Sequence, residues 1–297
     1  MIRIHRFVPL LFLSLLSCST TEPVTEIEAP APPSLVTAYA GGIPFGLYSL
    51  PTNQFGTLYN GAIRNARILD STGTFLSTLS AIKARGGKVV LNLTGNHHHY
   101  LDSNGHFSFK KWKARVDTFR KYNFSSYIKD GTIIAHFLID EPNDKSNFGG
   151  QAVTGTTVEA MAAYSKSIWP TLPTVVRTES TYLASWPGYR YLDATWAQYV
   201  YRKGDAGDFI RRNIADAQKL GLALVTGLNI KMGGPNGATM TPSQIKTWGS
   251  TLLTSTYPCA FISWEYMATY FSKTSVKDAM AFLRAKAQNR AFKSCRS

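Results

Sequence analysis

The chain is poor in cysteine and poor in acidic residues, and both shortages narrow what it can be. Its 297 residues include three cysteines, with no CxxC pair and no Cys/His cluster at metal-binding spacing, so a zinc site is not indicated. No GxGxxG and no Walker sequence follows an apolar run, which removes the usual grounds for a nucleotide-binding open sheet. A Gly-x-Ser-x-Gly elbow is also missing, leaving Ser/His/Asp chemistry without support. Beyond the first residues nothing is long and apolar enough to read as a transmembrane helix, and there is no internal repeat. Against 18 Asp plus Glu stand 32 Lys plus Arg, a formal charge of +14. Such an excess would favour anionic glycans, nucleic acid or an acidic envelope surface. The basic residues are scattered, however, with Lys110-Lys111 and Arg211-Arg212 the main doublets, and no nucleic-acid-binding motif accompanies them. A solvated basic surface is the expectation, without nucleic acid as a partner. Where carboxylates are scarce, one at the end of an apolar run is conspicuous.

The N-terminus reads as an export signal. Arg3 and Arg6 form a positive start, and Phe7 to Leu16 form an apolar stretch too short to span a bilayer. Leu15-Leu16-Ser17-Cys18 resembles the lipobox of bacterial lipoproteins. The resemblance implies cleavage after residue 17 and a lipid on Cys18, and Ser19 at the next position implies the outer membrane. The plainer alternative is an ordinary signal peptide that contains a cysteine. Residues 18–40 are rich in Pro, Ala and Thr, with the run Ala29-Pro30-Ala31-Pro32-Pro33, and have the composition of an extended tether. With Cys18 assigned to lipid by the resemblance, Cys259 and Cys295 remain. In an oxidising compartment they are expected to pair and clip the C-terminal tail to the last strand; two free buried thiols are the alternative.

Residues 41–297 have the size of one domain, uninterrupted by a second linker. Short β-rich apolar runs alternate with longer amphipathic segments, the pattern of a parallel sheet with helical crossovers. Strands are expected at Phe45–Leu50, Ala62–Leu69, Lys88–Thr94, Ile133–Asp140, Thr174–Glu179, Tyr191–Tyr199, Ala223–Ile230 and Ala260–Tyr266. Helices are expected at Thr74–Arg85, Phe109–Tyr122, Val158–Trp169, Asp205–Leu220 and Pro242–Ser255. Thr241 and Pro242 suit the N-cap and first position of the last of these. Gly86-Gly87 and Gly221 end two helices just before a strand. Eight strands in this length favour a single closed (β/α)8 barrel, an α/β fold, acting as a monomer without a cofactor.

In such a barrel the chemistry lies at the C-terminal strand ends. Those ends offer Tyr48; Asn92, Asn96 and His97; Asp140 and Glu141; Arg177 and Glu179; Trp196 and Gln198; Asn229; and Trp264 with Glu265. Polar groups beside aromatic rings suit a sugar, which presents hydroxyls at its rim and C–H bonds on its faces. Phe137-Leu138-Ile139-Asp140-Glu141-Pro142 resembles the fourth-strand end of the large clan of (β/α)8 glycoside hydrolases, where Asn-Glu-Pro or Asp-Glu-Pro presents the acid/base glutamate. The resemblance implies that Glu141 is the general acid and that Asp140 holds a substrate hydroxyl or tunes it. A general acid needs a raised pKa, which burial or the like charge of Asp140 could supply. Pro142 would stop the strand and aim the glutamate. A solvent-exposed Asp-Glu-Pro loop is the alternative. The same clan places a tryptophan at the end of the eighth strand beneath the sugar; Trp264 fits that place, a core tryptophan being the other reading.

One departure from the clan matters. Its retaining members carry a nucleophilic glutamate at the end of the seventh strand, and Leu224 to Ile230 contains no carboxylate. Glu179 is a candidate near partner for Glu141, suited to retention, and Glu265 a candidate far one, suited to inversion. Either could instead bind substrate, with Glu179 paired to Arg177. His97-His98-His99 invites a metal reading in which His97 and His99 converge from one strand face; with no second ligand cluster, a polar cleft wall is the expectation. Three functions remain open: an envelope glycoside hydrolase, a non-catalytic glycan-binding lipoprotein on the same scaffold, and a metal-dependent hydrolase.

Overall fold

A computed structural model describes residues 41–186 and 188–296. The signal segment, Cys18 and the tether lie outside the described residues. Eight strands close into a barrel in sequence order, every neighbouring pair parallel: β1 (Phe45–Tyr48), β2 (Gly61–Asn65), β3 (Lys88–Asn92), β4 (Ile133–Asp140), β5 (Thr174–Arg177), β6 (Ala194–Tyr199), β7 (Ala223–Leu228) and β8 (Ala260–Ser263). The principal crossover helices are α1 (Phe75–Ala84), α2 (Phe109–Asp117), α3 (Gly155–Ile168), α4 (Ala206–Lys219), α5 (Pro242–Thr254) and α6 (Thr274–Gln288). The (β/α)8 expectation therefore holds.

Local chemistry explains most boundaries. α1 and α4 give way to glycines in the left-handed region, Gly86 at φ 66° and Gly221 at φ 69°, as their positions before strands suggested. Thr241 and Gln244 form a reciprocal capping box at the start of α5, with Pro242 in the first turn. β2 ends four residues before its expected end because Asn65 accepts from the Arg67 amide and starts a short helix, Ala66–Ser71. β6 starts at Ala194 rather than Tyr191. The Glu159 carboxylate takes the amides of Arg190, Tyr191 and Leu192 at 2.8–3.0 Å, so a side chain rather than a strand satisfies them. α6 lies beyond the elements expected from the pattern.

Two apolar layers follow from strand alternation. Leu47, Val89, Leu91, Val176 and Leu224 face the helices in the larger core. Val90, Phe137, Val175, Trp196, Val225 and Ile262 fill the barrel interior together with Cys259 and Cys295. The expected disulfide is formed between those cysteines, with Cα atoms 5.3 Å apart, and it draws the tail under the N-terminal end of the barrel.

β4 breaks its own alternation. Phe137 pairs with Val175 of β5, yet Asp140 pairs with Arg177, so three steps on β4 match two on β5. Leu138 and Ile139 both join the outer core. Strict alternation from the inward Phe137 would turn Asp140 toward the helices; the bulge returns it to the barrel mouth.

Candidate active site

Arg177, at the end of β5, organises the mouth. Its Nε donates to Asp140 Oδ1, its Nη1 to Gln198 Oε1 at 2.7 Å, and its Nη2 lies 3.3 Å from Glu141 Oε2. The guanidinium sits 5.8 Å from the Trp196 ring and 5.4 Å from that of Trp264. Burial disfavours the charge on Arg177, but Asp140 and Glu141 outweigh it and hold the group above the ordinary arginine value. Glu179 is thus not the partner of Arg177, as one reading of the sequence had it; the acidic pair of β4 takes that place.

Glu141 is the most available of these carboxylates, its side chain 44% exposed. Its amide donates to the Arg177 carbonyl at 2.9 Å, and its φ is +41°, a conformation an L-residue before proline rarely adopts. Such a backbone costs about 1–3 kcal/mol and persists where the surroundings over-determine it. Here the bulge of β4 and the buried Pro142 do so.

A cleft opens beside Glu141 in two adjoining lobes. One, about 570 Å³, is walled by Tyr201, Met232 and Trp264. The other, about 420 Å³, is walled by Asn143, Asp144, Lys145, Thr178, Glu179, Trp196, Gln198 and Lys203. Glu141, Arg177, Val200, Arg202 and Asn229 line both. Trp264 is half-buried, packed at 4.3 Å against Tyr48 with the rings tilted by 43°, and bridged through its backbone to Asn229. The close approach of β7 and β8 that permits this requires Gly227, where a Cβ would fall 1.9 Å from the Ile262 carbonyl oxygen. Burial, then Asp140, raises the pKa of the Tyr48 phenol.

Other residues expected at the mouth have local duties. Asn92 Oδ1 accepts from the Thr94 and Gly95 amides at 3.1 and 2.7 Å, and Asn96 Oδ1 from the His98 amide at 3.0 Å. Asn229 Oδ1 likewise accepts from Met232 N at 3.0 Å, but its residue still lines the cleft. Trp196 is 1% exposed and donates to the Ile262 carbonyl, so it forms part of the floor of the second lobe beneath Arg177. Glu179 follows β5 as the N-cap residue of a short helix, Ser180–Leu183, and is held by Lys203 at 2.5 Å and Arg212 at 3.5 Å. Glu265 is paired with Lys231 and lines neither lobe. His97 begins a 3₁₀ turn, His97–Tyr100, well past the end of β3, so strand alternation does not bring His97 and His99 together. Among the described residues no group of three or more potential metal ligands gathers. Burial, then His98, lowers the pKa of His97.

Several cleft residues were not anticipated: Asn143, Lys145, Tyr201, Arg202, Lys203 and Met232. All lie on loops directly after β4, β6 or β7, and a search of those loops rather than of strand ends alone would have met them.

The sequence matches no protein-family model and no curated protein. Several solved structures of similar fold are glycoside hydrolases. A modular endo-β-1,4-mannanase of glycoside hydrolase family 26 from Cellulomonas fimi is similar at a TM-score of 0.56 and 14% identity, over 87% of this chain and 76% of that one. Gas2p from Saccharomyces cerevisiae, seen with laminaritetraose and laminaripentaose, gives 0.53 and 10% over 87% and 68%. A family 2 β-galacturonidase from Eisenbergiella tayi gives 0.54 and 9% over 83% of this chain and 51% of that one. At these identities the likeness is one of fold.

Proposed function

We propose that the barrel hydrolyses a glycosidic bond, with Glu141 as the general acid. The observation that carries this reading is a half-exposed carboxylate at the end of β4, held in a rare backbone conformation where the two lobes of the cleft meet. A sugar ring on Trp264 would set a glycosidic oxygen near that junction. Glu141 gives its proton to the leaving oxygen as the bond to the anomeric carbon breaks. That carbon then takes either the carboxylate of Glu179, giving retention after water opens the ester, or a water deprotonated by Glu265, giving inversion. Glu179 is the better placed because it lines the same lobe as Glu141, although substrate must first draw Lys203 and Arg212 off its oxygens. Glu141→Gln should cut turnover by about 10²–10⁴ while leaving glycan affinity within a few fold. Release of reducing ends and a parallel binding titration measure the two.

A second reading, glycan binding without turnover, is favoured by a specific feature. β7 ends without a carboxylate, and both candidate partners of Glu141 are ion-paired. If a broad polysaccharide panel shows binding but no new reducing ends, and Glu141→Gln changes affinity alone, this reading replaces the first.

The chain would act at the cell envelope through a lipid on Cys18, a reading supported by Leu15 to Cys18 and the proline-rich residues that follow. Cys18→Ser should move the protein from the membrane to the soluble fraction. An unmodified Cys18 in membrane-bound protein would overturn the assignment.

A further inference from the structure

The two lobes differ in chemistry, and that difference bears on the substrate. Besides the shared Glu141, Arg177 and Arg202, the first lobe presents no charged side chain; it offers Trp264, Tyr201, 51% exposed, and Met232, 60% exposed. The second adds Lys145, Lys203, Asp144 and Glu179. Its acidic groups already have partners. Glu179 is held by Lys203 and Arg212, and Asp144 Oδ1 accepts from the Ser146 amide and hydroxyl at 3.0 and 2.6 Å. Glu141 and Asp140 share Arg177. Lys145 and Arg202 are exposed, and among the described residues neither has a carboxylate within ion-pair distance. Gln198 Oε1 is fixed by Arg177, which leaves its buried Nε2 as a donor with no partner among the described residues. Arg202 stands where the lobes meet, near Asp144, while Lys145 and the Gln198 amide lie in the second lobe and Trp264, Tyr201 and Met232 in the first, so cationic donors gather from the junction into the second lobe.

We infer that the cleft takes an internal stretch of an acidic polysaccharide. An uncharged ring lies on Trp264 and Tyr201, and a unit bearing an anionic substituent, carboxylate or sulfate, lies against Lys145 and Arg202. This inference rests on the glycan reading above and adds the substrate class to it. Cations and an amide N–H₂ meet a carboxylate or sulfate with charge-assisted hydrogen bonds, whereas a neutral hydroxyl gains little from them. Because both lobes share Glu141, a chain must extend on both sides of it, which suits a polymer over a terminal sugar.

Affinity electrophoresis of the whole protein in gels containing polygalacturonate, dextran sulfate, mannan or dextran tests this at low and moderate salt. At least one anionic polymer should retard the protein about tenfold more strongly than either neutral one, a ratio that a single charge-assisted hydrogen bond can supply. Which anionic polymer does so distinguishes carboxylate from sulfate. Lys145→Ala with Arg202→Ala should abolish the preference. Lys129→Ala with Lys219→Ala removes the same charge from helix ends that lead into β4 and β7, on the opposite face, and should change it by less than about twofold. Neutral polymers bound as tightly as both anionic ones, or equal losses in the two double variants, would overturn the inference while sparing the glycan reading. Retardation by none of the four would count against both.

Discussion

At the N-terminal end of the barrel, Asp193 is buried against Lys166 at 2.7 Å and accepts from the Thr174 amide at 2.8 Å. There too the Cys259–Cys295 bond packs the tail against the barrel interior. At the mouth, Arg177 is equally buried, but the carboxylate of Glu141 beside it is open to a cleft, and Lys145 and Arg202 face solvent. The same barrel thus closes the charge of Asp193 at one end and holds others in reserve at the mouth. Closed groups resist disturbance because unpairing them leaves buried charge. Reserved groups add little to stability, and their energy is available to a ligand. Burial, the largest influence on Asp193, holds its carboxyl above the ordinary range despite Lys166, as expected where solvent is excluded.

The comparison is sharpened most by paired carboxylate variants at the mouth. Glu179→Gln should lower turnover by about 10²–10⁴ if Glu179 is the second catalytic carboxylate, while Glu265→Gln, outside the cleft, should lower it less than about tenfold. The reverse order in steady-state rates would transfer the role to Glu265 and predict inverted product by NMR. The next largest effect belongs to the opposite end. Replacing Cys259 and Cys295 by Ser opens a loop with a sequence separation of 36. It should reduce unfolding free energy by about 3–4 kcal/mol. Urea titration would show this, with turnover at 25 °C unchanged; a matching loss of activity would mean that the two ends are coupled.

A smaller, graded effect comes from the lower part of β4. His136 is fully buried between Trp112 and Trp169, its Nδ1 2.8 Å from Ser165 Oγ, and burial pushes its imidazole down to about 3. The unfolded imidazole takes up protons near its usual value of about 6.5. The unfolded state therefore binds more protons between those values. The stabilisation is complete above about pH 6.5 and falls away as pH drops toward 3. His136→Gln should flatten the acid limb of a Tm-versus-pH curve without moving the pH profile of turnover; an unchanged acid limb would remove His136 from the account.

Much of the barrel was legible because it rests on local regularities. Apolar runs bounded by Gly86-Gly87, Gly221 and Thr241-Pro242 mark strands and helices through turn and cap chemistry that neighbouring residues decide between themselves. The end of β4 was legible for the same reason: a seven-residue, largely apolar run from Ile133 to Ile139 leading into Asp140, Glu141 and Pro142 places a carboxylate at a strand end by connectivity alone. The height of a side chain within the barrel was not. Trp196 lines the cleft as read, yet it is 1% exposed with its Nε1 turned to the Ile262 carbonyl, because strand stagger in a closed barrel sets how far each strand reaches, and stagger depends on all eight strands together.

What the sequence by itself determined, then, is the order of elements, the face on which most strand residues lie, and which residues are chemically able to act. Only the tertiary structure decided which of them meet. The bulge in β4 that swings Asp140 toward Arg177 is a mismatch with β5, a strand 34 residues further along, and leaves no mark within β4 itself. Arg177 joins Asp140, Glu141, Gln198 and the rings of Trp196 and Trp264 because barrel closure brings the ends of four strands to one opening. Pairing across a closed sheet is a long-range choice, made by the summed packing of strands distant in sequence, and no local stretch of residues contains it.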